Sequence, residues 1–376
     1  MIYFDNAASI PVLPDIKICY AELLEKFSGN IEAAHSLGHE LKNQLKTLEN
    51  QLFDLLLPGA DPLQRKVFFA DSATTLINAV GRAAGNKNSA VIASMLDHPA
   101  AEKMFRRSFA SVKNLPLDRY GRIVPQAGEK EQYALIYLTL LQSEIGVLQD
   151  IPQLMQFFRK NYPQTPVLAD AVQFTGLYEY PVKEAFLPDM LLVSGAKLGA
   201  NSGAALLCVG NVGCSIASSL ETLRKKEHLL PRVNIVEAAA PVKAVEIAHL
   251  QRSNDWQSIN RINEFLRAEL RDMVLPNGKK LILTVPEEYA AKNILHMILP
   301  GYQSGVLVRM FGQRGIMLSA GSACAAESAE PSAVLSALNY SKNDSYSGLR
   351  LSFSGSNTIE EAAVFVQTLR ELLQNY

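Results

Sequence analysis

The chain has 376 residues, too many for one small core and suited to two domains or a large domain with a smaller partner. Hydrophobic residues make up 48% and charged residues 19%, with 36 Lys plus Arg against 37 Asp plus Glu. A net charge of −1 gives no electrostatic reason to expect a nucleic-acid or membrane partner and favours small-molecule chemistry.

The opening, Met1-Ile-Tyr-Phe-Asp5, has no basic region followed by an apolar stretch, so it does not read as a signal peptide. Helical patterns come first, at Ile16–Phe27 and Glu40–Leu57. Strand candidates then alternate with further helical patterns. The strands are Lys66–Ala70, Ala90–Ser94, Ala134–Leu138, Val167–Ala169, Met190–Val193 and Ala204–Val209; the helices are Thr75–Ala84, Ala100–Phe109 and Gln153–Lys160. That alternation predicts an α/β fold with a mainly parallel sheet covered on both faces. Leu198–Leu220 lacks charge but is broken by glycines, serines and asparagines, so it predicts a loop and a buried strand, with no membrane span.

After about residue 245 the texture changes. A helical pattern at Ala244–Leu270 leads into strands near Leu281–Thr284 and Asn293–Leu299, a Gly/Ser/Ala loop, a strand at Leu349–Phe353 and a helix at Ile359–Leu373. We therefore expect a large domain over 13–249 and a smaller α+β domain over 250–376, joined by residues 1–12. The four cysteines, Cys19, Cys208, Cys214 and Cys324, show no CxxC spacing. Neither a metal site nor a disulfide framework is expected, and the chain reads as a cytoplasmic enzyme with reduced thiols.

Polar residues just after the predicted strands mark the place where an open α/β sheet puts its ligand. Phe69-Ala-Asp-Ser-Ala-Thr-Thr75 follows a strand and opens a helix, a setting that suits a phosphate. Taken alone, it reads first as an N-cap at Asp71 or Ser72. His98 follows Ala90–Ser94, and a lone histidine is more often structural than catalytic. Asp170 and Gln173 follow Val167–Ala169, where a carboxylate could equally be an ordinary cap. Lys197 is delivered by an apolar strand into a turn with no acid between Asp189 and Glu221. Partial desolvation there would favour the neutral amine that Schiff-base chemistry needs, although most lysines are solvated surface groups. Cys324 is surrounded by Gly, Ser and Ala, which favours an accessible, reactive thiol over a buried one. Arg350, on the last strand, is either a surface charge or a carboxylate clamp.

Together these segments resemble the cysteine desulfurases, in the class V branch of the fold-type-I, pyridoxal-phosphate-dependent enzymes. Tyr3-Phe-Asp-Asn-Ala-Ala8 is similar to the family's YLDNAAT, and Gly29-Asn30 with His35-Ser-Leu-Gly38 to its GNPSSxHxxG. Asp97-His98 resembles E-H, Glu144-Ile-Gly146 resembles NNEIG, Asp170-Ala-Val-Gln173 resembles D-A-x-Q, and Ser194-Gly-Ala-Lys197 resembles S-G-H-K. The most specific stretch, Gly321-Ser-Ala-Cys-Ala-Ala-Glu-Ser-Ala-Glu-Pro-Ser-Ala-Val-Leu335, is similar to GSACxSGxxxPSHVL of the iron–sulfur and nitrogenase-associated type.

The resemblance implies a seven-stranded large-domain sheet, a homodimer, L-cysteine as substrate and a sulfur-acceptor protein as partner. It implies that Lys197 holds pyridoxal 5'-phosphate as a Schiff base and that Asp170 pairs with the ring nitrogen. Gln173 would bond the ring hydroxyl, and His98 would stack on the ring and move protons. Ala73, Thr74 and Ser194 would hold the phosphate, Arg350 and Asn30 would bind substrate, and Cys324 would take the sulfur as a persulfide, leaving L-alanine.

Departures cluster around the implied cofactor. Ala196 stands at the family's His, and Gln142-Ser143 at its Asn-Asn. Asp71 stands at a Ser, where its charge would repel a phosphate unless it points away. Lys225-Lys-Glu-His-Leu-Leu-Pro-Arg-Val-Asn-Ile235 replaces GGGQE…RSGT, with Arg232 at the arginine and Ile235 at the threonine. Without two of those hydrogen bonds, at about 1–3 kcal/mol each, cofactor binding would weaken roughly thirtyfold to ten-thousandfold. The basic run Arg224-Lys-Lys226 is a candidate compensation. A selenocysteine lyase or another class V enzyme, and a degenerate paralogue acting as a sulfur-transfer partner, are the alternatives.

Overall fold

A computed structural model describes residues 1–26, 29–85, 88–126, 132–227, 230, 233–321 and 330–376. Cys324 and Arg232 lie outside the described residues.

Among the described residues, seven strands form one sheet in the spatial order Arg65–Ala70, Ala204–Val209, Met190–Ser194, Val167–Asp170, Tyr133–Thr139, Ala90–Ala93, Ser111–Asn114. Ala204–Val209 runs antiparallel to both neighbours, and all the other pairs are parallel. The fold is therefore α/β with a mainly parallel sheet. Central strands such as Met190–Ser194 and Ala204–Val209 are buried at every position, as continuous apolar runs require when helices cover both faces.

Alternation divides each strand between two apolar layers. Ile136, Leu138, Ala169, Leu191 and Val193 enter one layer with Leu52 and Met155 from helices Ser36–Leu56 and Ile151–Asn161. Leu135, Tyr137, Leu168, Met190 and Leu192 enter the other with Leu76 and Met104 from helices Ala73–Ala84 and Pro99–Ser108.

The edge strand Ser111–Asn114 goes beyond the expected set. Its residues are mostly exposed, so it carries no buried alternation to read. The expected loop character of Leu198–Leu220 is corrected beyond Val209, where Gly210–Glu227 is helical. Only Gly213, Ala217 and Leu220 bury there, too sparse a stripe to stand out among serines. Gly213 is required: a Cβ would stand 2.3 Å from the Asp189 carbonyl oxygen.

A three-stranded antiparallel sheet, Gly348–Ser352, Ile294–Ile298 and Ile282–Leu283, centres the C-terminal part. Phe4, Phe311, Phe353 and Phe365 pack beneath it. Helix Ser304–Gln313 also belongs here and was not expected. The long helix starts at Ile235, earlier than the predicted Ala244, and runs through Pro241 to Leu270. Its residues 235–247 join the large core and its residues 259–270 join the small one, so it ties these two cores together. Residue 250, the expected division, falls within this helix.

Candidate active site

The carboxyl ends of the parallel strands converge on the N-terminal segment and the last strand of the small sheet. Val167–Asp170 ends in Asp170, which is buried. Its Oδ2 accepts a 2.6 Å hydrogen bond from Tyr137 Oη, and its Oδ1 accepts one from the Val172 amide at 3.0 Å. Burial raises the Asp170 pKa, while Tyr137, Val172 and His98 oppose that rise.

Met190–Ser194 runs into a tight turn, Gly195–Lys197, which carries Lys197. The Lys197 ammonium donates to the Ala8 carbonyl. Gly195 N–H donates to Gly203 O, and Gly203 N–H donates to Asp71 O, both at 2.8 Å. This relay fixes the lysine turn beside the start of helix Ala73–Ala84. Ala73 and Thr74 occupy that helix's first turn, where backbone N–H groups lack intrahelical acceptors. Ser72 is the N-cap, accepting from Thr75 N–H. The Thr75 hydroxyl donates to Asp71 Oδ1 at 2.6 Å, so the charge of Asp71 is engaged locally. Ser194 is buried beside the turn, and Ala196 offers its carbonyl to Ile10 N–H.

His98 caps helix Pro99–Ser108, its Nδ1 accepting from Ala100 N–H. The neutral ring then carries its proton on Nε2. Desolvation lowers the His98 pKa; the Asp170 carboxylate opposes this, and the Lys197 and Lys103 charges reinforce it. His98 thus lies within electrostatic reach of both Asp170 and Lys197.

Asp97, next to His98, accepts from Thr139 Oγ1 at 2.7 Å and from Ser94 N–H at 2.8 Å. Burial pushes its pKa up to about 7 against those bonds, with Asp170 adding to the rise. The folded state therefore holds this proton more tightly than the unfolded chain. Its contribution to stability is full below about pH 4 and is lost as pH rises through 7. Asp97→Asn, whose amide can serve both partners, is expected to raise the melting temperature at pH 8 and to change it little at pH 4. Thermal unfolding at the two pH values checks this.

The segment Asp5–Ser9 crosses the crevice and was legible only as a motif. Gln173 Nε2 donates to Ala7 O at 2.8 Å, and Ala7 N–H donates to Ser352 Oγ at 2.8 Å. Asp5 Oδ1 accepts from Arg350 Nη2 at 2.8 Å and from Ser319 Oγ at 2.7 Å. Arg350 is 2% exposed; its Nη1 donates to Ser143 O at 2.9 Å, and its Nε is buried with no hydrogen-bond partner among the described residues. Across the strand pair, His296 faces Arg350, and burial with that cation depresses its pKa to about 3.

Gln142 is occupied by its own turn, its Oε1 accepting from Glu144 N–H and Ile145 N–H at 2.7 and 2.8 Å. Buried Glu144 accepts from Ser332 Oγ and lies 3.1 Å from where a Gly321 Cβ would stand. Gly321 and Ser332 flank the segment that contains Cys324. Asn30 stays in an exposed turn of its own, its Oδ1 accepting from Glu32 N–H. Ile235 is buried at the start of the long helix. Arg224 pairs with Glu221 within its own helix.

A crevice of about 330 Å³ borders this cluster, lined by Asn6, Ala7, Gln173, Lys197, Asn293 and Phe353 among others. Among the described residues, no group of His, Cys, Asp and Glu could hold a metal ion, and no helix is long and apolar enough to cross a membrane. The residues do fit a phosphorylated pyridine aldehyde. A lysine sits at one strand end, a buried carboxylate with spare lone pairs at the next, and a helix N-terminus beside them.

Comparison with known proteins agrees with this geometry. The chain is 25% identical over 383 residues to a NifS/IcsS protein homolog of Lactobacillus delbrueckii subsp. bulgaricus, covering 100% of the chain and 98% of the relative. It is 24% identical to the cysteine desulfurase IscS of Methanosarcina thermophila, covering 99% and 92%. Its fold matches the X-ray structure of a NifS-like protein from Rickettsia africae with a TM-score of 0.82 at 20% identity, covering 100% of both chains. The model of the aminotransferase class-V family matches residues 2–223, more than half of the sequence, and the chain belongs to that family.

Proposed function

We propose that the chain is a pyridoxal-phosphate-dependent cysteine desulfurase. It converts L-cysteine to L-alanine and leaves the sulfur on Cys324 as a persulfide. The observation that carries this reading is the convergence on His98 of Asp170 and Lys197, from the carboxyl ends of three strands of the parallel part of the sheet. Family membership and end-to-end similarity to desulfurases support it. When bound, the cofactor supplies an electron sink for the α-carbon of an amino acid.

In this reading Lys197 provides the amine that holds the aldehyde, and the Asp170 carboxylate receives the ring N–H. The first-turn amides of Ala73 and Thr74, with Ser194, bind the phosphate. Gln173, which donates to Ala7 O, would bond the ring hydroxyl. His98 would stack against the ring and exchange a proton at Nε2. Arg350 takes the substrate carboxylate, with Asn30 as a second substrate contact. Cys324 would serve as the sulfur acceptor; beyond its segment, Ser332 donates to Glu144 in the turn beside Arg350. Its thiolate forms an S–S bond as the substrate's C–S bond breaks, and a proton completes the methyl group of alanine.

The assembly is a homodimer serving a sulfur-acceptor protein, such as one in iron–sulfur cluster assembly. It works in the cytoplasm, where thiols stay reduced.

The test is purified protein given pyridoxal phosphate, L-cysteine and a reducing thiol. Alanine and sulfide in equal amounts are expected; pyruvate in place of alanine would contradict the proposal. Cys324→Ala is expected to keep the cofactor's absorbance and to lose at least about a thousandfold in alanine formation, because the attacking atom is gone.

A further inference from the structure

Tyr137 lies two residues before Thr139, which pairs in register with Asp170 on the neighbouring strand. Side chains two apart on a strand lie on one face, so the phenol of Tyr137 runs along the sheet to the carboxylate. Tyr137 is fully buried and meets Phe105 edge-on, with ring centroids 5.3 Å apart. A buried phenol needs some acceptor, and a backbone carbonyl would do. Here the acceptor is the charged group at the centre of the crevice.

Among the described residues, Asp170 has one other hydrogen-bond donor, the Val172 amide on its opposite oxygen. The titratable groups that interact with it are Tyr137 from the adjacent strand and Asp97 and His98 from the turn after Ala90–Ala93; Lys197 acts on His98. Asp97 repels a charge on Asp170, and His98, its own pKa lowered by desolvation, favours that charge less than the phenol does. The phenol is therefore the principal side-chain group that favours the carboxylate form. Burial and the neighbouring carboxylates also keep that phenol protonated, so it can only donate to them.

We infer that Tyr137 is a positioning residue that acts through Asp170: its hydroxyl keeps the carboxylate ionised and fixed in direction at the strand end, ready for a ring nitrogen that carries a proton. The inference rests on the functional reading above for the identity of that ring. Its effect on Asp170 is a property of the protein alone.

The experiment uses the full chain, labelled with ¹³C at aspartate carboxyls, and follows Asp170 by NMR against pH without cofactor. Asp170→Asn identifies the signal. Tyr137→Phe is expected to raise the Asp170 midpoint by about one to two pH units, a ten- to hundredfold gain in proton affinity for one lost bond to an anion. Fluorotyrosine, a stronger donor of nearly the same shape, is expected to lower it, which keeps the question open to test should Tyr137→Phe fold poorly. Pyridoxal phosphate is then titrated into both proteins. At a pH between the two midpoints the variant is expected to bind more weakly, by up to about tenfold for each pH unit that separates them. Above both midpoints the difference should vanish.

An unmoved midpoint overturns the inference whatever the cofactor does. A moved midpoint with equal binding between the midpoints overturns the positioning role. A wild-type chain that binds no pyridoxal phosphate overturns the functional reading, and this role with it.

Discussion

Lys197→Ala is expected to remove covalently held pyridoxal phosphate and to lower alanine formation from L-cysteine by at least about a thousandfold. An amine held against the reacting aldehyde makes capture effectively intramolecular, an advantage no dissolved amine matches at ordinary concentration. Lys197 closes the tight turn Gly195–Lys197, directly after a fully buried strand, so its position is set by the sheet. The substitution should barely touch stability, since the side chain is only partly buried and its hydrogen bond runs to a backbone carbonyl, that of Ala8. Absorbance of the loaded protein, alanine yield and thermal unfolding measured together check this. Full turnover in the variant would remove Lys197 from the mechanism.

Arg350→Ala is expected to cost both binding and stability. Arg350 is among the largest fully buried side chains, and its guanidinium is shared between Asp5 and the Ser143 carbonyl. Removing one member of a buried pair leaves the other charge without its counter-ion, which costs about 3–5 kcal/mol. That is a large part of the stability of a typical domain. Asp5 keeps about a fifth of its side chain exposed, which places the expected loss at the lower end of the range. Arg350→Lys separates the two effects. An ammonium can still reach Asp5, but it cannot also present the fork that grips a carboxylate. Urea denaturation should show most stability regained, while KM for L-cysteine stays raised by about tenfold or more. An unchanged KM in both variants would mean that Arg350 is only a structural tie between Asp5 and the Ser143 turn.

How much of this could be read from sequence depends on whether a residue's task shows in its immediate neighbours. Val167–Ala169 and Met190–Val193 were legible because buried parallel strands are uninterrupted apolar runs. Asp170 stood out as the first polar group beyond one of them, and Lys197 as the first charged group beyond the other. Ser111–Asn114 was illegible because an edge strand needs no buried face. Gly210–Glu227 hid because its buried stripe is a glycine, an alanine and one leucine.

Tyr137 was missed for a different reason: an aromatic inside a strand looks like core, and nothing local reveals that its hydroxyl ends on Asp170. The partnership of Asp5 with Arg350 spans almost the whole chain and depends on the first strand, Ile2–Tyr3, pairing with Ile316–Met317. Gln142 shows the converse. At the sequence level it reads as an altered ring contact, and the structure has it capping the turn that offers Ser143 to Arg350. Gly146 was legible only as part of the motif Glu144-Ile-Gly146. Gly146 sits at φ +75°, and a Cβ there would stand 2.9 Å from Ile294, which is why this turn can close against the small sheet.

Everything proposed for the crevice requires that one particular amine hold the cofactor. Borohydride reduction of the protein after incubation with pyridoxal phosphate, followed by peptide mapping, reads this directly. One dominant pyridoxyl group on Lys197, lost when Asp170 is replaced by alanine, is the predicted result. A label scattered over surface lysines, with Lys197 unmodified, would contradict it.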